Sequence, residues 1–183
     1  WRTLPGTHPT KGSYFTRGTT RDPYARYSER GVDYMYNMDR LQKKFKTAAQ
    51  LVPAPVVRQA AKPSKIGVIY FGSTSPSMSE AFDLLEQDGL HLNGMRLRAF
   101  PFADSVAEFI HDHEMVFVVE QNRDAQMRSL LVNELGIDPA RFISILHYDG
   151  TPITARFITS AIKGHLAALD ASSQTQPLST EAL

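Results

Sequence analysis

Apolar positions recur along this chain in two different rhythms. Between Tyr34 and Val52 they follow a 4-3-4-3-4 spacing (Tyr34, Met38, Leu41, Phe45, Ala48, Val52), which predicts one stripe of a helix. Arg40, Lys43, Lys44 and Lys46 fall on the other faces of that helix. Pro53 and Pro55 are expected to end it, with residues 53–64 as a linker. Residues 1–32, rich in Gly, Pro, Thr, Tyr and Arg, show no period and predict an irregular segment lying against something else.

From Lys65 onward short apolar runs alternate with helical spacings. Ile66–Phe71 predicts a strand closed by Gly72-Ser73-Thr74. A helix follows, with Ser77 and Glu80 as its capping box, Met78, Ala81, Phe82 and Leu85 as its buried face, and Gly89 as its stop. Met95–Phe100 alternates as a strand near an edge would, and Ser105 with Glu108 opens a short helix bearing Val106, Phe109 and Ile110. Val116-Phe117-Val118-Val119 reads as a strand covered on both faces, as in a parallel sheet. Next come a helix with Met127, Leu130, Leu131 and Leu135 stopped at Gly136, a strand over Phe142–Leu146, and a last helix burying Phe157, Ile158, Ala161, Ile162, Leu166 and Leu169. Residues 170–183 are expected to form a disordered tail. The fold class is therefore α/β, a mostly parallel sheet with helices on both faces, preceded by an irregular segment and one helix.

Composition narrows the classes. The chain has no cysteine, which removes disulfides, thiolate metal sites and any iron–sulfur cluster carried by these residues, and fits a cytoplasmic origin. No apolar run reaches the roughly 18 residues of a membrane span, so no membrane partner is expected. The net charge of +1 conceals two opposed halves: residues 1–62 hold 12 Lys/Arg against 4 Asp/Glu, and residues 63–183 hold 8 against 15. The tyrosines of the basic half would suit a nucleic-acid surface, but an extended segment lying on a partner subunit explains the same composition, and no nucleic acid is expected. Trp1-Arg2-Thr3-Leu4-Pro5-Gly6 reads as mid-protein sequence, so the chain is expected to be a piece of a longer one.

Three groups of residues are candidates for chemistry or recognition. Gly72, Ser73 and Thr74, between a strand and a helix start, are an anion-binding candidate through their backbone N–H groups, although they lack the spacing of a dinucleotide or phosphate loop. Glu120, Gln121, Asn122 and Gln126 stand at the carboxyl end of the most apolar strand, where open α/β sheets place working groups. There Glu120 is either an acid or base, or part of a polar network fastening the domain to a neighbour. Arg17, Thr19, Arg21 and Asp22 in the leading segment are candidates to meet a carboxylate, a phosphate or an interface. His111 and His113 have no spacing that puts both on one face, so they read as a solvated loop; no metal site and no catalytic triad are legible.

Taken in order, several of these segments resemble the alpha subunit of 2-oxoacid:ferredoxin oxidoreductases. They are Leu4-Pro5-Gly6-Thr7, Tyr14-Phe15-Thr16-Arg17-Gly18, Arg40-Leu41-Gln42-Lys43-Lys44, Gly72-Ser73-Thr74, Pro101-Phe102, Glu120-Gln121-Asn122 with Gln126, and Tyr148-Asp149-Gly150-Thr151-Pro152. The resemblance implies a complex that decarboxylates a 2-oxoacid on thiamine diphosphate with magnesium, passes electrons through an iron–sulfur cluster to ferredoxin, and transfers the acyl group to coenzyme A. It implies residues 1–32 as the irregular end of a pyrimidine-binding domain, 33–64 as helix and linker, and 65–169 as a domain similar to the transketolase C-terminal domain. None of the cofactors is expected on this piece alone. The expected partners are the remainder of the alpha subunit, the beta subunit and, through the complex, ferredoxin, in a hetero-oligomer. Two departures stand out: Ala125 occupies a position that is often Gly in the family, and Thr19-Thr20-Arg21-Asp22 replaces a common Glu-His-Asp. With Thr7-His8-Pro9-Thr10, the latter looks more like the 2-oxoglutarate branch. The rival readings are the C-terminal domain of a transketolase-like or 2-oxoacid dehydrogenase thiamine enzyme, and a free-standing α/β anion-binding module.

Overall fold

The computed structural model describes residues 4–12 and 18–174, in two compact units divided between Val52 and Pro53. In the first unit the segment expected to be irregular contains a small antiparallel ribbon, β1 (Thr20–Arg21) with β2 (Tyr27–Ser28). Its turn is held by Asp22, whose Oδ1 accepts from the N–H groups of Tyr24 and Arg26, each at 2.9 Å. Gly18 is required beside it, because a Cβ there would sit 1.9 Å from the Tyr27 ring. Strands of two residues carry no period, so the pattern of apolar residues could not show them.

Helix α1 (Gly31–Leu51) follows, as its stripe predicts, and Asn37 ties it to the ribbon by donating to Thr20 Oγ1 at 2.7 Å and to the Arg21 carbonyl. None of its 21 residues is buried.

The second unit is a five-stranded sheet in the order β3-β5-β4-β6-β7. These strands are β3 (Val56–Arg58), β4 (Ile66–Phe71), β5 (Asn93–Leu97), β6 (Met115–Glu120) and β7 (Phe142–Leu146). All neighbours are parallel except β3, which runs antiparallel to β5 with Val57 opposite Met95. The stretch expected as a linker thus supplies an edge strand. Pro53 and Pro55 stand just outside it, where a missing N–H costs no ladder bond.

Alternate residues of the central strands serve opposite faces. Val68, Tyr70, Phe117 and Val119 meet α2 (Ser75–Gln87) and α5 (Ala155–Gln174). On the other face Ile69, Val116 and Val118 meet α3 (Asp104–His111) and α4 (Gln126–Leu135). This is the predicted α/β architecture with helices on both sides. The close approach of α2 to the sheet depends on Gly94, where a Cβ would lie 2.5 Å from the Phe82 ring.

Several local expectations are corrected. Neither predicted capping box forms. Helix α2 starts earlier, with Pro76 in its first turn, and Ser77 Oγ donates instead to the Ile153 carbonyl at 2.7 Å. Helix α3 starts at Asp104 with no side-chain cap. His113 is not solvated: it is buried, its Nδ1 lies 2.6 Å from the Phe109 carbonyl, and its Nε2 lies 2.8 Å from Asn93 Nδ2. Those partners fix a neutral ring with the proton on Nδ1 and the lone pair of Nε2 accepting from Asn93. Helix α5 buries Ile158 and Ile162 but leaves Phe157 and Leu169 exposed, and it continues to Gln174, into the expected tail. The remainder of that tail, 175–183, lies outside the described residues.

Candidate functional site

Strand order places a topological switch between β4 and β6: the chain leaves β4 toward β5 on one side and returns to β6 on the other. Crevices beyond the carboxyl ends at such a point are where open α/β sheets bind ligands. Here the crevice has a volume of about 560 Å³ and is lined by Ser73, Ser77, Gln121, Thr151 and Ile153, among others. Two of the candidate groups therefore meet at one rim. Gln121 Nε2 donates to Ser73 Oγ at 3.0 Å and to Thr74 Oγ1 at 3.2 Å, joining the loop after β6 to the loop after β4. Gly72–Thr74 forms a single turn of tight helix leading into α2, with Gly72 at φ +57 and Thr74 buried.

Glu120 is fully buried at the end of β6. Its Oε2 accepts from the Met127 N–H at 2.7 Å and from Asn122 Nδ2 at 2.8 Å, and its Oε1 accepts from the Arg128 N–H at 3.0 Å. Its main-chain carbonyl accepts from the His147 N–H at 2.9 Å. The carboxylate therefore sits on the amino end of α4, where the helix presents unpaired N–H groups and the positive end of its dipole. Asn122 completes the arrangement, its Oδ1 accepting from the N–H groups of Asp124 at 3.1 Å and Gln126 at 3.2 Å. Gln126 takes part through its backbone, while its side chain is exposed. The turn passes through Ala125 in the left-handed region, at φ 50 and ψ 48. Both oxygens of Glu120 are thus engaged in holding a loop and a helix start, and neither faces the crevice as a free base.

The third wall of the crevice was missing from the candidates drawn from sequence. It is the turn after β7, where Asp149 Oδ1 accepts from the Thr151 N–H at 2.8 Å and from the Thr151 hydroxyl at 2.7 Å. Those bonds, with His147 Nε2 at 3.4 Å, hold the Asp149 carboxyl below its ordinary value. His147 is buried against Phe157 in an edge-on contact, ring centroids 4.9 Å apart. A strand end followed by Asp-Gly-Thr-Pro was the available signal, since it is the third carboxyl terminus at the same rim.

The candidates of the leading segment belong to the first unit. Asp22 is committed to the ribbon turn, Arg21 lies over the Tyr27 ring with its guanidinium carbon 5.8 Å from the centroid, and Thr19 is exposed. Arg17 lies outside the described residues. Among those described, no group of three or more His, Asp or Glu side chains is placed to hold a metal ion, and no helix is long and apolar enough to cross a membrane.

No family model matches the chain. Among characterised proteins, it is 27% identical over 150 residues to 2-oxoacid:ferredoxin oxidoreductase 2, subunit alpha, of Aeropyrum pernix, covering 80% of this chain and 23% of the relative. It is 25% identical over 150 residues to the 2-oxoacid:ferredoxin oxidoreductase subunit alpha of Saccharolobus solfataricus, with the same coverage. This chain is related to those alpha subunits. It spans about a quarter of the length of the relatives it matches. The 2-oxoglutarate:ferredoxin oxidoreductase of Magnetococcus marinus, solved with 2-oxoglutarate, coenzyme A and succinyl-CoA bound, shares the fold. The TM-score is 0.74 at 19% identity, over 90% of this chain and 28% of that one. A split-gene transketolase in an inactive beta4 tetramer matches with a TM-score of 0.50 at 16% identity, over 62% of this chain and 41% of its own. The mostly parallel α/β fold is thus one shared with these structures, as the fold class drawn from the sequence expects.

Proposed function

We propose that this chain is part of the alpha subunit of a 2-oxoglutarate-type 2-oxoacid:ferredoxin oxidoreductase, a cytoplasmic hetero-oligomer that oxidatively decarboxylates its substrate to the acyl-CoA while reducing ferredoxin. Within it, the α/β unit serves assembly rather than bond making. One observation carries this division of labour: the carboxylate at the sheet rim, Glu120, is fully buried, with both oxygens accepting bonds from Met127, Arg128 and Asn122. A general base needs a free lone pair within hydrogen-bond reach of the proton it takes, and Glu120 offers none to the crevice. Thiamine diphosphate, the cluster and coenzyme A belong, in this reading, to the whole complex.

The test is to co-express the full-length subunit with its beta subunit and follow 2-oxoglutarate- and coenzyme A-dependent viologen reduction. Glu120→Gln should lower the fraction of assembled complex while leaving turnover per assembled complex within about threefold of wild type. A fall of the 10²-fold or more typical of a lost acid or base, in fully assembled complex, would overturn the assembly role. Absence of oxoacid-dependent reduction by the wild-type complex would overturn the family activity.

A further inference from the structure

We infer that the bare stripe of α1 is a docking seam for one helix of a partner polypeptide, with acidic residues flanking that helix's own apolar seam. The inference rests on the reading of this chain as part of a subunit assembly, and it specifies what the first unit recognises there.

A helix that lies on a sheet buries a broad face, whereas a helix that pairs along its length with another helix needs a narrow seam repeating every 3.5 residues. Tyr34, Met38, Leu41, Phe45 and Ala48 keep that repeat over most of α1, and Val52 extends it one step past the end. At about 1.5 Å per residue the 21 residues give a contact line of roughly 30 Å. Its three largest side chains stand in water, Tyr34 44% exposed, Met38 40% and Phe45 51%, while Leu41 and Ala48 between them are half-buried. The neighbouring side of the helix is already occupied within its own unit, where Asn37 binds the ribbon and Ser28 Oγ donates to Asp33. A stripe of about four turns with its largest side chains left in water is the mark of an interaction site.

Charge selects the occupant. Of the cations along the middle of the helix, Lys44 takes the position directly flanking the seam, while Arg40, Lys43 and Lys46 lie on the faces away from it and add to the local positive field. Residues 1–52 carry 10 Lys/Arg against 4 Asp/Glu, a net of +6. A second copy of the same seam would bring two such charges together, while acidic flanks complement them and speed encounter.

In the complex of full-length subunit and beta subunit, amide exchange over residues 31–51 should slow at least about tenfold relative to the free subunit. Phe45→Asp should weaken assembly by about 30-fold, the size of an interface hot spot. Tyr36→Asp, on the opposite side of the helix, should leave assembly unchanged and controls for loss of helix. Lys44→Glu should weaken assembly at low salt and flatten its salt dependence. The inference is overturned if exchange over α1 is equal in the free and assembled subunit and Phe45→Asp assembles as wild type, a result that leaves the enzymatic reading standing. Disulfide capture of Phe45→Cys by a second copy of this chain would overturn the acidic partner in favour of self-pairing. A wild-type subunit that forms no complex at all would overturn the functional reading and this inference with it.

Discussion

Helices α1 and α2 are both amphipathic, yet they stand in opposite conditions. Helix α2 sets Met78, Ala81, Phe82 and Leu85 against the sheet, all essentially inaccessible, while α1 is longer and buries nothing. Apolar periodicity tells that a face wants cover; it does not tell whether the same unit provides it. Here the α/β unit closes its own core on both sides of the sheet, and the leading unit leaves most of its helix for something else to cover.

Core truncation is the strongest way to break this contrast. Phe82→Ala removes a ring that packs on Gly94 and under the Arg58 guanidinium, and should cost about 3–5 kcal/mol. Phe45→Ala, on the bare seam, should change the stability of the free chain by no more than about 0.5 kcal/mol. Urea unfolding followed by circular dichroism measures both; comparable losses would show that α1 has an internal cover after all. A smaller effect is expected at the rim. Glu120→Gln keeps the volume but replaces one of two acceptor oxygens with a donor facing the N–H groups of α4, at a cost of about 2–3 kcal/mol. A neutral result in the same unfolding experiment would mean that α4 does not depend on this carboxylate.

Ala125 offers a change in the other direction. It is a non-glycine residue at positive φ, and an L-residue there costs roughly 1 kcal/mol more than glycine. Ala125→Gly should therefore raise stability slightly, by up to about 0.5 kcal/mol once the greater freedom of glycine in the unfolded chain is deducted. The gain should appear as a higher unfolding midpoint with unchanged slope. A loss would show that the methyl group makes a packing contact that offsets its strain.

Legibility followed the length of the signal. The central strands, α4 with its glycine stop, and the α1 stripe each repeat a period several times, and each lies where that period puts it. Strands of two or three residues carry too little pattern, which hid the ribbon at Thr20–Arg21 and Tyr27–Ser28 and the edge strand at Val56–Arg58. Capping boxes failed because Pro76 and Asp104 could start their helices earlier than the Ser residues chosen. At the site, the carboxyl rim was legible from the strand running into Glu120. That Glu120 caps α4 was not, because the cap reaches seven and eight residues along the chain around an Asn122 turn that no simple spacing announces. His113 was misread for a related reason: its cover comes from Phe109 and Asn93, the latter distant in sequence.

The smallest expected effect tests whether the rim is as internally satisfied as the core beneath it. Asp149 is exposed, but its carboxyl is held low first by the Thr151 N–H, then by the Thr151 hydroxyl, with a lesser contribution from His147. A lowered value means that the folded turn favours the carboxylate more than the unfolded chain does. Its contribution is therefore complete above the ordinary value of 3.8 and is lost as pH falls from there through the lowered one. Thr151→Val deletes the hydroxyl and keeps the N–H, so the midpoint of Asp149 should move up toward 3.8 without reaching it, and the acid side of the turn's stability should shift to higher pH. Carbon-detected NMR titration of the Asp149 carboxyl reads the midpoint directly. An unchanged midpoint would mean that the hydroxyl bonds water rather than Asp149, leaving this wall of the crevice held by its backbone alone.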